Sequence, residues 1–319
     1  MMVFSSSKTI IAGITGLLFF SVSGGCEKLE RIKSEVPPVV VAAATAKFAV
    51  IGDYGDAGEP ERRVAQMVKE WNPDFIITTG DNNYDRGEES TLNENIGQYY
   101  CDFIWNYDAP INQRCNGKAA QDRQNRFFPS PGNHDFNRRN KLVPYLNYFT
   151  LPGEEVYYEF IWGPVHFFSL FSGEDGNPFD CCEQQYYWLK EKLSSSDRPW
   201  KVVYFHHSTY STANHGSNHH LRWPFKEWGA SAVLSGHDHV YSRIIQKSTG
   251  FPYFINGLGG RSKYGCREHP LDENDFEVFC FNDDYGAMLV TANDTAMRFK
   301  FFSVSNPALP VDEFVLKTE

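Results

Sequence analysis

The chain has no clustered run of basic residues. Its 30 Lys and Arg stand against 40 Asp and Glu, for a formal net charge of -10 at pH 7. Binding a polyanion needs a clustered basic face, so a nucleic-acid or anionic-membrane surface is excluded. The same deficit is awkward for a phosphate substrate unless a basic pocket or bound cations reverse the field locally. Also missing is an apolar run of the about 20 residues that a membrane-spanning helix requires; residues 10 to 20 form a shorter one. No repeat or linker divides residues 47 to 311, so a single domain is expected even though a length of 319 residues would accommodate two. What is present, 41% hydrophobic and 22% charged residues, is the balance of a soluble globular protein with a sizeable core.

The amino terminus places Lys8 before an apolar core at 10 to 20, then small residues up to Cys26. That is the layout of a secretory signal. Small residues directly before a cysteine also resemble a bacterial lipoprotein signal, whose processed cysteine becomes the lipidated first residue, although Ser23 stands where an aliphatic residue is usual. The expectation is therefore a signal peptide over 1–26, of either simple or lipoprotein type, a tether over 27–46, and one domain over 47–319. It implies an exported bacterial protein that is periplasmic, secreted or anchored at Cys26. The tether carries Pro37-Pro38 and a valine run able to add an edge strand.

Seven cysteines fit export, and six remain once Cys26 is set aside. Proximity favours Cys101 with Cys115 and Cys266 with Cys280, each closing a loop worth up to about 3 kcal/mol. Cys181 and Cys182 are adjacent; they are either free, separately paired or joined in a strained vicinal bridge.

Order begins with the apolar run at 47 to 51, which stops at Gly52-Asp53. Pro60 opens a helix whose apolar positions Val64, Met67, Val68 and Trp71 recur at helical spacing until Asn72-Pro73. A second apolar run at 75 to 79 ends in Gly80-Asp81. Strand, helix and strand in this order form a βαβ unit, so Asp53 and Asp81 leave a parallel sheet at the same carboxyl edge. Residues 85 to 126 read as an elaborated loop over that edge, and a third run then exits into Gly132-Asn133-His134-Asp135.

Residues 156 to 171 read as a hairpin with His166 as an ordinary strand residue, followed by a helix over 183 to 194. A strand at 201 to 205 exits into His206-His207, the second of these pointing away from the site. A short helix over 221 to 228 precedes a strand that ends in Gly236-His237-Asp238-His239, and antiparallel strands at 252–255, 287–292 and 296–302 complete the chain. The fold class is α/β, with two mixed β-sheets packed face to face and helices outside.

Asp53, Asp81, Asn133, His206, His237 and His239 thus stand at five strand ends. Two Asp, one Asn and three His form an oxygen and nitrogen set suited to first-row transition metals, and are numerous enough for two ions sharing a carboxylate. In residue type and order they resemble the calcineurin-like metallophosphoesterase superfamily, whose fold is a four-layer α/β/β/α sandwich. Many of its members place a metal-binding His two residues after the first Asp, where this chain has Gly55. Tyr84 stands where purple acid phosphatases supply a tyrosinate to Fe(III), and a ferric ion is acid enough to ionise a phenol of ordinary pKa about 10.

The resemblance to small single-domain purple acid phosphatases implies that Asp53, Tyr84 and His239 bind Fe(III). Asn133, His206 and His237 would bind a divalent ion (Fe, Zn or Mn), and Asp81 would bridge the two. His134 and His215 would be outer-sphere catalytic residues that position the phosphate or protonate the leaving oxygen. The implied activity is hydrolysis of phosphate monoesters, small molecules or phosphoproteins, by a metal-bound hydroxide. Two rival readings are a Mn- or Zn-dependent phosphodiesterase or nucleotidase of the same superfamily and a non-catalytic surface lipoprotein. Asp85-Arg86-Gly87 resembles the Asp-Arg-Gly of protein Ser/Thr phosphatases but lies one residue farther from Gly80-Asp81, and it is read as loop, as His219-His220 are read as a solvated helix start or pocket rim.

Overall fold

The computed structural model describes residues 39–137, 139–153, 156–177, 183–271 and 275–318. The signal segment, Cys26, most of the tether, Cys181 and Cys182 lie outside the described residues.

Among the described residues, fourteen strands form two sheets. In chain order they are β1 (Val40–Val41), β2 (Ala46–Ile51), β3 (Phe75–Thr78), β4 (Phe127–Pro129), β5 (Tyr158–Trp162), β6 (Val165–Ser169) and β7 (Trp200–Tyr204). Then come β8 (Ala232–Ser235), β9 (Tyr241–Gln246), β10 (Phe251–Asn256), β11 (Phe276–Phe281), β12 (Gly286–Ala292), β13 (Ala296–Ser303) and β14 (Asp312–Lys317). The smaller sheet runs β14-β13-β12-β2-β3-β4 and the larger β1-β5-β6-β7-β8-β10-β9-β11. Both are mixed, as expected. Each has a parallel stretch: β2, β3 and β4 at one end of the smaller, and β6, β7, β8 and β10 in the interior of the larger.

Successive residues of a strand point to opposite faces, and β6 shows what that does here. Phe167 faces the other sheet, its ring 5.0 Å from Phe48, while Phe168 joins a separate cluster with Leu189, Leu193 and Val203. The space between the sheets is filled largely by aromatic rings. Phe128 stacks on Phe160 at 3.9 Å, and Phe75 meets Phe160 edge-on at 5.6 Å. The helix Glu59–Trp71 buries Val64, Ala65, Met67 and Val68 and covers the smaller sheet. The helix Gln184–Ser195 buries Leu189 and Leu193 against the larger. Helix, sheet, sheet and helix are the expected four layers.

Val40 and Val41 pair in parallel with Ile161 and Trp162, so the valine run adds the edge strand open to it. Residues 85 to 126, expected as an elaborated loop, are ordered throughout. They contain the short helical segments Asn93–Gly97, Gln98–Tyr100 and Lys118–Asp122, bury Ile96, Tyr100, Phe103 and Ile104, and are cross-linked by Cys101–Cys115.

No helix spans 221–228. Leu221 closes a short 3-10 turn, Pro224 disfavours helical backbone at Trp223, and a single turn follows until Gly229 at φ +100°. Strand β10 is antiparallel to β9 but parallel to β8. The second expected disulfide, Cys266–Cys280, is formed.

Candidate metal centre

Parallel strands bring their carboxyl ends to one edge, so each exit turn can aim a side chain at the same point. The turns after β2, β3, β4, β7 and β8 carry Asp53, Asp81, Asn133, His206 and the pair His237 and His239. Three of these residues, Asp53 (φ 54°), Asp81 (φ 51°) and His237 (φ 69°), adopt the left-handed backbone that side chains disfavour. Such conformations cost on the order of 1–3 kcal/mol each and cluster where function demands them. Close backbone approach explains the neighbouring glycines. A Cβ on Gly236 would sit 2.5 Å from an Asp53 carboxylate oxygen, and one on Gly55 would sit 1.7 Å from the Asn82 carbonyl oxygen.

Gly55 therefore has no room for any side chain. The segment pressed against it is the one that delivers Tyr84, whose N–H donates to the Gly55 carbonyl at 2.8 Å.

Two clusters result, and Asp81 faces both. On one side the Tyr84 hydroxyl donates to Asp81 Oδ2 at 2.8 Å and lies 3.2 Å from His239 Nε2 and 3.4 Å from Asp53 Oδ1. Asp53, Asp81 and His239 are all buried and offer ligand atoms within 4.8 Å of one another, a group that could hold a metal ion. On the other side His206 Nε2 lies 2.8 Å from Asn133 Oδ1, 3.2 Å from His237 Nδ1 and 3.3 Å from Asp81 Oδ1. Partners behind the rings set their tautomers. His206 Nδ1 donates to the Thr79 carbonyl at 2.8 Å, and His239 Nδ1 pairs with the Ser262 hydroxyl at 3.0 Å. In both rings Nε2 is left facing the cluster.

This arrangement calls for positive charge. His206 Nε2 meets an amide oxygen and a carboxylate oxygen, which repel a lone pair and attract a proton or a metal cation. Burial favours the neutral ring, yet Asp81 and Asp53 pull the His206 pKa up to about 9. Burial alone would push the Asp81 carboxyl up, but His206 and His134 hold it well below the ordinary carboxylate range. The Tyr84 phenol is pushed the other way, by burial and then by Asp81 and Asp53. Carboxylates, imidazole nitrogens, an amide oxygen and a phenol are the donor types first-row metals take, and the residues fit such ions.

Beside this cluster lies a cavity of about 400 Å³, lined by Asn133 and His237 on the metal side and by the 207–220 segment and Glu174 and Asp175 elsewhere. No residue of 85–126 lines it, because that segment is folded against the smaller sheet's side of the core. His215 does line it, its ring stacked 4.0 Å from His237. His134 does not; its Nδ1 donates to the Asp85 carbonyl at 2.6 Å and its ring lies 4.4 Å from Tyr84. His207, expected to point away, is a wall of the cavity, held through Nδ1 by the Ser172 hydroxyl at 2.8 Å. His219 and His220 form a 3-10 turn at the cavity rim. His166 is a strand residue, 3.2 Å from Glu159.

Residues that sequence reading missed include Asp238, which accepts from the His215 N–H at 2.7 Å and from the Ser211 hydroxyl. Its position between two candidate ligand histidines was a signal, but nothing linked it to Ser211. Arg261 lies over the Tyr84 ring at 4.7 Å and bridges Asp56 and Asp85, with no motif to announce it.

Known proteins resemble this chain. Purple acid phosphatase 17 of Arabidopsis thaliana is 24% identical over 290 residues, covering 82% of this chain and 81% of its own. Purple acid phosphatase 7 of the same plant is 25% identical over 330 residues, covering 92% of each. Among solved structures, a purple acid phosphatase from yellow lupin (Lupinus luteus) seeds superposes with a TM-score of 0.65 at 17% identity. That match covers 86% of this chain and 54% of the longer lupin chain, and it is a likeness of fold. A family model described as calcineurin-like phosphoesterase matches residues 46–241, which include every candidate metal ligand. With more than half of its length matched and the exit turns of both sheets assembled at one end of the sandwich, the chain belongs to the calcineurin-like phosphoesterase family.

Proposed function

We propose that this phosphoesterase hydrolyses phosphate monoesters at a dinuclear Fe(III)–M(II) centre, with M being Fe, Zn or Mn, as an acid phosphatase of the purple type. One observation carries the reading: Tyr84 projects its hydroxyl among Asp53, Asp81 and His239 from a turn that leaves Gly55 no side chain. The names of the Arabidopsis relatives support it. Asp53, Tyr84 and His239 would hold the ferric ion, Asn133, His206 and His237 the divalent one, and Asp81, which faces both clusters, would bridge them. Bound metals would polarise the phosphoryl oxygens and acidify water.

The protein's own groups do the rest. Asn133 and His237 line the cavity, which puts the divalent ion's site at the cavity where the ester would bind. His215, fixed by Asp238 and stacked on His237, is placed to hand a proton to the leaving oxygen. His134, tied to the Asp85 carbonyl beside Tyr84, braces the phosphate side from outside the cavity lining. Two disulfides suit an oxidising compartment and support the export reading of the amino terminus.

Turnover of p-nitrophenyl phosphate against bis-p-nitrophenyl phosphate tests the activity. A strong preference for the monoester is expected; preference for the diester would favour the Mn- or Zn-dependent phosphodiesterase reading instead.

A further inference from the structure

Strand β10 runs parallel to β8, so the segment after it leaves at the same end as the turn that carries His237 and His239. This segment, residues 257–264, is pressed against the exit of β2. A Cβ on Gly259 would sit 2.3 Å from the Gly52 carbonyl oxygen, and the Gly259 N–H donates to that carbonyl at 2.9 Å. No side chain fits there, and the residues that follow are delivered to the Tyr84 side of the candidate centre.

They touch each of the three groups that Asp81 meets on that side. The Arg261 N–H donates to the Asp53 carbonyl at 3.0 Å. The Ser262 hydroxyl pairs with His239 Nδ1 at 3.0 Å, and the Tyr264 ring stacks on the His239 ring at 4.1 Å. The Arg261 guanidinium lies over the Tyr84 ring, 4.7 Å from its centre. Two carboxylates hold it there. It donates to Asp56 at 2.5 Å, three residues past Asp53, and to Asp85 at 2.7 Å, next to Tyr84 in the chain. A guanidinium keeps its charge at every working pH, so this ring face carries a fixed cation.

We infer that Arg261 is a positioning residue for Tyr84, fixing the ring in the centre and, as a cation over its face, drawing electron density away from a tyrosinate–iron bond. The inference rests on the ferric tyrosinate reading above. A positive charge over an aromatic face attracts its electrons, and more strongly once the phenol is ionised. The charge stands nearer the ring than an ion held at the hydroxyl, so its main effect is on the donor. A phenolate that gives up less charge leaves the ion a stronger Lewis acid towards a phosphoryl oxygen. Asp56 and Asp85 act in two ways: they hold the guanidinium in place and offset part of its field.

The tyrosinate-to-iron band of the aerobically purified protein reads this directly, because its energy rises as the phenolate electrons are held more tightly. Arg261→Gln keeps amide donors but loses the charge; it should move the band to longer wavelength and lower the iron reduction potential. Asp56→Asn/Asp85→Asn keeps acceptors for the guanidinium and removes the charges that offset it, so the band should move to shorter wavelength. A clamp with no electrostatic role would lose contacts in both variants, and the band would then move the same way in both or in neither. Either result would overturn the inference and leave the ferric reading standing. If Arg261→Gln fails to retain iron, the carboxylate variant decides alone: a shift to shorter wavelength supports the inference, and an unmoved or longer-wavelength band overturns it. Loss of iron from both variants would leave Arg261 a structural role only and overturn it as well. A wild-type protein with no visible band would overturn the tyrosinate reading and this inference together.

Discussion

At the scale of single residues the centre depends on what each group faces. Tyr84 and Gly55 are two ends of one arrangement: the backbone of Asn82 and Asn83 fills the space a side chain at 55 would need, and Tyr84 arrives from that same turn. The sequence showed the pair as a missing histidine and a spare tyrosine, and only because both lie beside Gly-Asp motifs. Asp238 was less legible, since its work is done through Ser211 and the His215 N–H, partners whose nearness depends on how the 211–217 loop folds. Asp238→Asn should lower kcat more than it raises KM and alter the alkaline limb of the pH profile, as expected when a proton donor loses its placement. Ser211→Ala should do the same more weakly. Steady-state kinetics at matched metal content check this, and unchanged kinetics in both variants would remove Asp238 from the account.

At the scale of elements the strand exits were readable and the pairing partners were not. Apolar runs that end in Gly-Asp or His-rich turns announce buried parallel strands, and β2, β3, β7 and β8 lie where they announce them. Strands β9, β11 and β14 carry polar and charged residues and are fixed by distant partners. Arg243 of β9 pairs with Asp312 of β14 at 2.8 Å, an attraction across about seventy positions that no local pattern encodes.

Two predictions belong here. Cys101–Cys115 pins the helical segments of 93–122, and replacing both cysteines by alanine should cost up to about 3 kcal/mol in denaturant unfolding, most of it within that region. Glu61 lies in the first turn of the helix Glu59–Trp71, buried, with Oε2 accepting from the Asp56 and Ala57 N–H groups and Oε1 without a hydrogen-bond partner. Burial pushes its pKa well above the ordinary glutamate value. The folded state therefore holds this proton when the unfolded state has lost it, so its contribution to stability is complete below the ordinary value and declines as pH rises towards the folded one. Glu61→Gln should flatten that decline in thermal melts recorded from pH 4 to 8. An identical slope in the variant would refute the assignment.

At the scale of the whole molecule, two sheets with an aromatic interior hold five turns in register at one end. The sandwich itself was legible from alternating strand and helix signals, whereas the part of the cavity lined by Glu174 and Asp175 was not, because the segment after β6 shows no motif and meets Asn218 and His207 only in the fold. Phe167→Ala, in the ring cluster between the sheets, should cost about 3–5 kcal/mol in equilibrium unfolding. A loss under about 1 kcal/mol would mean that the sheets do not depend on this packing.

The net charge of -10 and the inward-facing carboxylates have the same resolution, cations bound at the shared end. Metal analysis combined with an optical spectrum of the aerobically purified protein tests that claim most directly. The account predicts iron together with a second metal and a visible tyrosinate-to-iron band that Tyr84→Phe abolishes while iron remains bound. A colourless, iron-free protein that still hydrolyses phosphate esters with manganese or zinc would contradict it.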